Sequence, residues 1–354
     1  MNPASTRITF GMIVLNGEPF LRYNLRALYP FAHQVIVVEG ASPSAAAIAT
    51  LNGHSTDGTL ETLRAFKHNE DPEDKVVIVT AQDEGHEDGF WRDKNEMSRA
   101  YAKRATGNYL WQVDSDEFYH EEQIRRLMEL LATERPDAVS FPMLTFWGST
   151  RYITNSFYLV RDNAREYHRL FAWDPGYSYA THFPPTVLDD RGINLRRKLW
   201  FQARQLEKRG IFLYHYSLLF PQQVYNKVSY YKARERNAID TWEDVVYRRL
   251  EKPFRAHNVY RHIGWLERFD GVHPASVIAM MSDIEVGNID IQTRDCADVE
   301  RLLSDSRYIV ACRILSVCAR VMSYKPIYFI YRIYAGLLNR TRKLVSARSR
   351  KGTA

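Results

Sequence analysis

Two apolar, β-rich runs with one amphipathic helix between them open the chain. Residues 8–15 (Ile-Thr-Phe-Gly-Met-Ile-Val-Leu) and 34–38 (Gln-Val-Ile-Val-Val) lack the polar alternation of a half-exposed strand. A strand apolar on both faces needs cover on both, and sheets of that kind are mostly parallel. Asn16-Gly17-Glu18-Pro19 breaks the first run. Phe20, Leu21, Leu25 and Leu28 then recur near helical spacing, with Pro19 suited to a first turn. Strand, helix, strand within about thirty residues is the βαβ rhythm of a parallel α/β sheet.

The rhythm continues to about residue 140. The spacing predicts a loop over 41–54, which is rich in Ala, Ser and Pro, then a helix over 59–67 and a strand at 76–79. A helix over 92–105 follows, with Met97, Tyr101 and Ala105 at i, i+4 spacing. The apolar run 109–113 leads straight into Asp114-Ser115-Asp116-Glu117-Phe118. A helix at 121–133 and a strand from Ala138 to Phe141 complete the series. After Pro142 the alternation stops. Residues 143–220 read as short aromatic strands and loops, and 221–252 as helical and charged. No internal repeat is present.

Ligands of open α/β sheets sit at the carboxyl ends of the strands. Three acidic features fall there: Glu39 after the second strand, Asp57 in the loop beyond it, and Asp114-x-Asp116 after the fourth. In extended backbone, residues i and i+2 point to one side. Two carboxylates so placed repel unless a cation lies near them. Mg²⁺ and Mn²⁺ take oxygen ligands, Mg²⁺ usually one or two carboxylates plus substrate phosphates. A diphosphate leaving group needs that charge neutralised as its bond breaks. Asp-Ser-Asp also occurs in surface turns and helix caps. The position after an apolar strand is therefore what points to a metal–diphosphate site.

In this order and spacing the motifs resemble family-2-like glycosyltransferases of the GT-A fold. Residues 11–40 are similar to that family's opening strand, helix and second strand, and Ser55-Thr56-Asp57-Gly58-Thr59 to its Ser-Thr-Asp-Gly-Thr motif. Arg92-Asp93-Lys94-Asn95 resembles the segment facing the donor, and residues 107–117 the strand entering the metal motif. The resemblance spans roughly residues 8–140. It implies a Rossmann-like mixed sheet flanked by helices. It also implies a nucleotide-sugar donor bound by Glu39, Asp57, Lys94, Asn95 and Asp114, and Mn²⁺ or Mg²⁺ on Asp114 and Asp116. Glu39 stands where Asp is more usual and would contact the base or ribose. About 14 residues separate it from the Ser-Thr-Asp-Gly-Thr segment, where the family has almost none. They read as a surface insertion near the nucleotide pocket. Each assignment has a plainer rival: Asp57 also fits a helix cap, Glu39 a solvated strand end, and Lys94 a solvent-facing helix charge.

The resemblance also implies a later His completing the metal site. His215, which ends an apolar run about 100 residues after Asp116, fits, with a half-buried structural His as the alternative. An imidazole suits Mn²⁺ better than Mg²⁺. His182, before Phe183-Pro184-Pro185, reads as either an acceptor-site lining or a loop residue. An inverting mechanism needs a carboxylate base near the acceptor hydroxyl. Asp189 and Asp190 lie at the distance along the chain that the family implies, with Asp174 and Glu166 as rivals. Asp-Asp-Arg-Gly is also an ordinary turn composition.

Charge is unevenly spread. Eleven of the 48 Lys and Arg residues and none of the 42 Asp and Glu residues lie from Arg307 onward. The body before it is therefore mildly acidic, which argues against a nucleic-acid partner. Residues 307–345 read as two amphipathic helices separated near Lys325-Pro326, with Arg313 and Arg320 on one face of the first. In the second, Ile327, Ile330, Tyr331, Tyr334, Leu337 and Leu338 form one stripe, and Arg332 cuts the apolar run short of a membrane span. Basic amphipathic helices suit an anionic membrane surface, and a helix packed on the body with a solvated basic face is the alternative. Cys296, Cys312 and Cys318 suggest no disulfide framework, and no secretory leader or spanning helix is expected, so the reading is cytoplasmic, at the inner face of a membrane.

The expected layout is a GT-A domain over 1–220 (nucleotide half about 8–140, acceptor half about 141–220), a helical extension over 221–306 and a basic tail over 307–354. The expected activity is metal-dependent sugar transfer to a glycan, lipid-linked or other surface-polysaccharide acceptor. Two rivals are a nucleotidyltransferase and a non-catalytic nucleotide-sugar-binding protein of the same fold. The first is disfavoured because Asn16-Gly17-Glu18-Pro19 is no Gly- and Lys-rich phosphate loop. The second is disfavoured because both aspartates are present.

Overall fold

The computed structural model describes residues 6–157, 159, 166–232, 242–256, 263–322, 324 and 326–327. The expected alternation is present. β1 (Ile8–Val14), α1 (Phe20–Leu28), β2 (Ala32–Glu39), α2 (Thr59–Asn69), β3 (Val76–Val79), α3 (Lys94–Ala102) and β4 (Tyr109–Gln112) follow in chain order. The four strands are parallel, in spatial order β3-β2-β1-β4. Then come β5 (Glu117–Phe118), α4 (Glu121–Glu134), β6 (Ala138–Trp147), β7 (Ser149–Ser156) and β8 (Glu166–Ala172). β8 lies antiparallel between β4 and β6, which makes the sheet mixed.

Both faces are covered, as the unalternating strands require. Ile8, Phe10, Met12 and Val14 of β1 pack with Leu21 and Leu25 of α1, Leu63 and Phe66 of α2 and Leu127 of α4. Ile36 and Val38 of β2 and Leu110 of β4 pack on the opposite face with Met97, Ala100 and Tyr101 of α3. Gly11 permits that second contact: a Cβ there would stand 2.5 Å from the Tyr101 ring.

The later chain wraps back onto this frame. β9 (Ser178–Thr181) and β10 (Thr186–Leu188) form a separate hairpin that packs on α3. β11 (Trp200–Phe201), α5 (Ala203–Glu207) and β12 (Leu213–Leu218) follow, β12 pairing with both β5 and β6. The segment expected to be a helical extension holds α6 (Pro221–Lys232), a π-helical turn (Glu243–Arg248) and α7 (Ala275–Glu285), which packs on α1. It also adds a strand, β13 (Gly264–Arg268), antiparallel to β7. α8 (Ala297–Ser304) and α9 (Ser306–Met322) close the described chain. No described helix is long and apolar enough to cross a membrane.

α9 is the first of the two expected tail helices; the second lies almost wholly outside the described residues. Its inner face docks: Tyr308 and Ala319 are buried, and the Tyr308 hydroxyl accepts from Leu266 N–H at 2.9 Å. Its outer face is apolar too. Val310, Ile314, Val317 and Val321 repeat at i, i+4, i+7 and i+11 and are each more than half exposed.

Candidate active site

The strand register brings the site to the carboxyl edge of the sheet. Val14 of β1 pairs with Glu39 of β2, and Gly11 with Gln112 of β4, so the chain leaves β4 beside the ends of β1 and β2. Asp114 follows two residues later, and Glu117 N–H donates to its carbonyl at 3.0 Å, closing a turn. The turn opens into β5, where Glu117 pairs with His215 of β12 and Tyr216 N–H donates to the Asp116 carbonyl at 2.9 Å. A pairing a hundred residues away in sequence thus sets His215 beside Asp116, with Nε2 3.4 Å from Oδ1. Gln223 Nε2 of α6 donates to Asp116 Oδ2 at 3.0 Å. Burial works against ionisation of Asp116, yet His215 and Lys227 draw its carboxyl below the ordinary range. The other His215 nitrogen, Nδ1, is buried and has no hydrogen-bond partner among the described residues.

Asp114 faces elsewhere. Its Oδ2 accepts from Arg169 Nη2 at 3.0 Å, and Arg169, on β8, is buried. The same guanidinium holds the fully buried Glu117, whose Oε2 accepts from Nε at 2.9 Å and whose Oε1 accepts from Nη2. Burial pushes the Glu117 carboxyl up to about 7, against the pull of Arg169. Among the described residues no three His, Cys, Asp or Glu side chains converge as a ready metal cage.

Glu39 is fully buried and is no solvated strand end. Ser55 N–H and Oγ donate to its Oε1 at 2.7 and 2.8 Å, and His54 Nδ1 stands 2.7 Å from its Oε2. Trp91 Nε1 donates to its carbonyl at 3.0 Å. The loop expected at 41–54 is held back against the strand end by these bonds and by Ala41 N–H on the Gly53 carbonyl, 2.7 Å. Asp57 ties two segments together. Its Oδ1 accepts from Thr59 N–H at 3.1 Å at the start of α2, and its Oδ2 from Glu18 N–H at 2.9 Å.

α3 starts at this same edge because it runs back from the end of β3. Lys94, half-buried at its first turn, sets Nζ 4.4 Å from the centre of the Tyr230 ring of α6. Asn95 Oδ1 accepts from His182 N–H at 2.8 Å, and Ser98 Oγ lies 2.9 Å from His182 Nδ1. His182 therefore reaches the site from the tip of the β9–β10 hairpin. Burial, helped by the Lys94 and Arg169 charges and opposed by Asp114, lowers its imidazole to about 4, so the ring is neutral at pH 7.

Asp189 and Asp190 are not at that tip. They follow β10 at the hairpin's other end. Asp189 is buried: its Oδ1 accepts from Arg191 and Ile193 N–H at 3.0 and 2.7 Å, and its Oδ2 pairs with Lys198 Nζ at 2.6 Å. The Lys198 bond and these backbone donors hold its carboxyl low. Asp190 is exposed, and Asp174 lies near it across Gly176. Glu166 opens β8, three residues before Arg169, and burial raises its carboxyl. Glu117, Arg169, Gln223, Lys227 and Tyr230 join the site without having been singled out in the sequence.

Residues 10–183 match the model described as Glycosyl transferase family 2. This half of the chain is a family 2 glycosyltransferase domain. The matched domain has the mixed, helix-flanked sheet of the GT-A fold. A search of curated proteins returns no match. Among solved structures, S. aureus TarS 1–349 aligns at 12% identity and a TM-score of 0.32, over 47% of each chain. M. tuberculosis glucosyl-3-phosphoglycerate synthase aligns at 19% identity and 0.29, over 41% of this chain and 46% of that one. Its complex with Mn²⁺, uridine-diphosphate and glucosyl-3-phosphoglycerate aligns at 15% and 0.32, over 48% and 57%. The chain thus spans about half the length of the structures it matches.

Proposed function

We propose that the chain transfers a sugar from a nucleotide-sugar donor to a glycan, lipid-linked or other surface-polysaccharide acceptor, with a divalent cation at the cleft. The observation that carries this is His215 Nε2 standing 3.4 Å from Asp116 Oδ1 at the carboxyl edge of a family 2 domain. A carboxylate oxygen and an imidazole nitrogen suit Mn²⁺, and two protein ligands suffice where substrate phosphates supply others. Asp116 and His215 would hold the ion, and Asp114 would join them on leaving Arg169. The bound ion supplies charge neutralisation to a departing diphosphate.

The remaining roles follow from position. Glu39 fixes the loop that walls the nucleoside side, and Asp57 anchors the Glu18 segment to it. Lys94 offers a cation to the phosphates. Asn95 and Ser98 hold the neutral His182 on the acceptor side. Asp189 and Asp190 keep a part as general base only if the hairpin moves, because Asp189 already uses both oxygens. Glu166, at the head of β8, is the remaining carboxyl rival.

α9 is proposed to rest on an anionic membrane. Val310, Ile314, Val317 and Val321 face outward, flanked by Arg307, Arg313 and Arg320, in a stretch without one acidic residue. That charge balance fits anionic headgroups, and the apolar stripe fits the acyl boundary.

The reading is tested by thermal shift across UDP, GDP, CMP and dTDP sugars with Mn²⁺. Ligand binding raises stability by mass action, so one donor class is expected to raise Tm by several degrees. No shift with any donor would overturn it.

A further inference from the structure

α6 lies outside the family match, yet one of its faces is turned into the cleft. Residues 223, 227 and 230 recur at i, i+4 and i+7, which stacks them along one side of a helix. The first and last are fixed by contact. Gln223 Nε2 donates to Asp116 Oδ2 at 3.0 Å, and the Tyr230 ring lies under Lys94 Nζ at 4.4 Å. Lys227 stands between them on that face, half-buried. Among the described residues its ammonium has neither a hydrogen-bond nor an ion-pair partner, and Lys94 forms no ion pair. Burial lowers Lys227, while Asp116 and Asp114 raise it and Lys94 lowers it further, so all four groups share one field.

Two ammonium groups that share a cleft repel unless an anion lies between them. The carboxylates of the cleft do not fill that place. Asp116 is taken up by His215 and Gln223, Asp114 and Glu117 by Arg169. A compact dianion with several acceptor oxygens suits two such ammonium groups. The diphosphate of a nucleotide has that charge and shape, and lysine binds phosphate as a point charge.

We propose that Lys227 of α6, together with Lys94 of α3, grips the diphosphate of the donor nucleotide, so that α6 is part of the donor site. Gln223 and Tyr230 position Lys227, one by holding the helix to Asp116 and the other by holding it to Lys94. The proposal rests on the nucleotide-sugar reading above.

The test is calorimetric titration of the full chain with UDP, GDP and dTDP and with the corresponding nucleosides, in Mn²⁺ and in EDTA. Wild type is compared with Lys227→Met, Lys227→Gln and Lys227→Arg, each checked for an unchanged melting curve. The expected result is at least a tenfold loss of affinity for the preferred nucleoside diphosphate in the two neutral variants. Nucleoside affinity is expected to be unchanged, and Lys227→Arg to restore most of the loss. Equal diphosphate binding by wild type and a folded neutral variant would overturn the proposal and leave the nucleotide-sugar reading standing. So would an equal loss of nucleoside and diphosphate. A wild-type chain that binds none of the three diphosphates would overturn both.

Discussion

Arg169 stands between Glu117 and Asp114, and the aim of the acid pair depends on it. Removing one partner of a buried pair typically costs about 3–5 kcal/mol, because the other is left charged in a dry place. Nothing near Arg169 in sequence announces this, since it is one residue of an aromatic run and its partners lie more than fifty positions earlier. The place of Asp114 and Asp116 at the sheet edge was legible because an apolar strand runs into them. That they part, Asp114 to Arg169 and Asp116 to His215, was not, because residues 114–117 form a turn rather than the extended backbone that would aim both to one side. Lys227 was not legible, because a lysine on a charged helix reads the same whether it faces water or a cleft. His168, next to Arg169, carries a separate consequence. Trp200 Nε1–H donates to Ser140 Oγ at 2.8 Å, leaving the hydroxyl proton for His168 Nδ1 at 2.6 Å. Burial, then the charges of Arg196 and Arg169, lowers this imidazole to about 4. Unfolded, it titrates near about 6.5. Between those values the unfolded chain binds the extra proton, so stability is full above about 6.5 and falls as pH drops towards 4. His168→Asn is expected to remove about 1–2 kcal/mol of the stability difference between pH 7 and about 4.5, measured by urea denaturation. An unchanged difference would show that the ring titrates normally.

At the scale of elements, β1 to α4 were readable because burial on both faces leaves an apolar run and each helix leaves a 3.6-residue stripe. The boundaries held to within a few residues, and the loop at 41–54 was placed correctly. Its attachment to Glu39 was not visible, because Ser55 and His54 meet that carboxylate only once the loop folds back. β13 was missed in a segment read as helical. Its pairing with β7 is antiparallel and more than a hundred residues distant, and Gly264-Trp265-Leu266-Glu267-Arg268 carries no clear period. α9 was read as amphipathic, but it is apolar on two opposite sides. The docked side means that truncation at about 305 would also strip Tyr308 from the core. Substituting the outer stripe separates the two roles. Val310→Ser, Ile314→Ser, Val317→Ser and Val321→Ser combined are expected to abolish flotation with phosphatidylglycerol-containing vesicles while leaving Tm within a few degrees. Wild-type binding is expected to weaken in high salt. Equal flotation by the variant would exclude the stripe as the contact.

For the whole molecule, the formal net charge of +6 averages an acidic body with a basic end. That division matches the division of labour proposed here, with a cation-seeking cleft in the body and an anion-seeking surface on α9. The site draws on β4, β5, β8, β12, α3 and α6, so the sheet and the returning chain must both be in place before Asp116, His215 and Lys227 meet. Everything depends on that meeting being chemical rather than structural. The decisive measurement is donor turnover by wild type and Asp116→Ala, each with Mn²⁺ and with EDTA, using the donor chosen by the thermal-shift panel. Wild-type turnover is expected to vanish in EDTA and return with Mn²⁺. Asp116→Ala, folded as judged by its melting curve, is expected to lose at least about 100-fold in kcat, roughly 2.7 kcal/mol of barrier. Full Mn²⁺-dependent turnover by Asp116→Ala would contradict the assignment of the cleft.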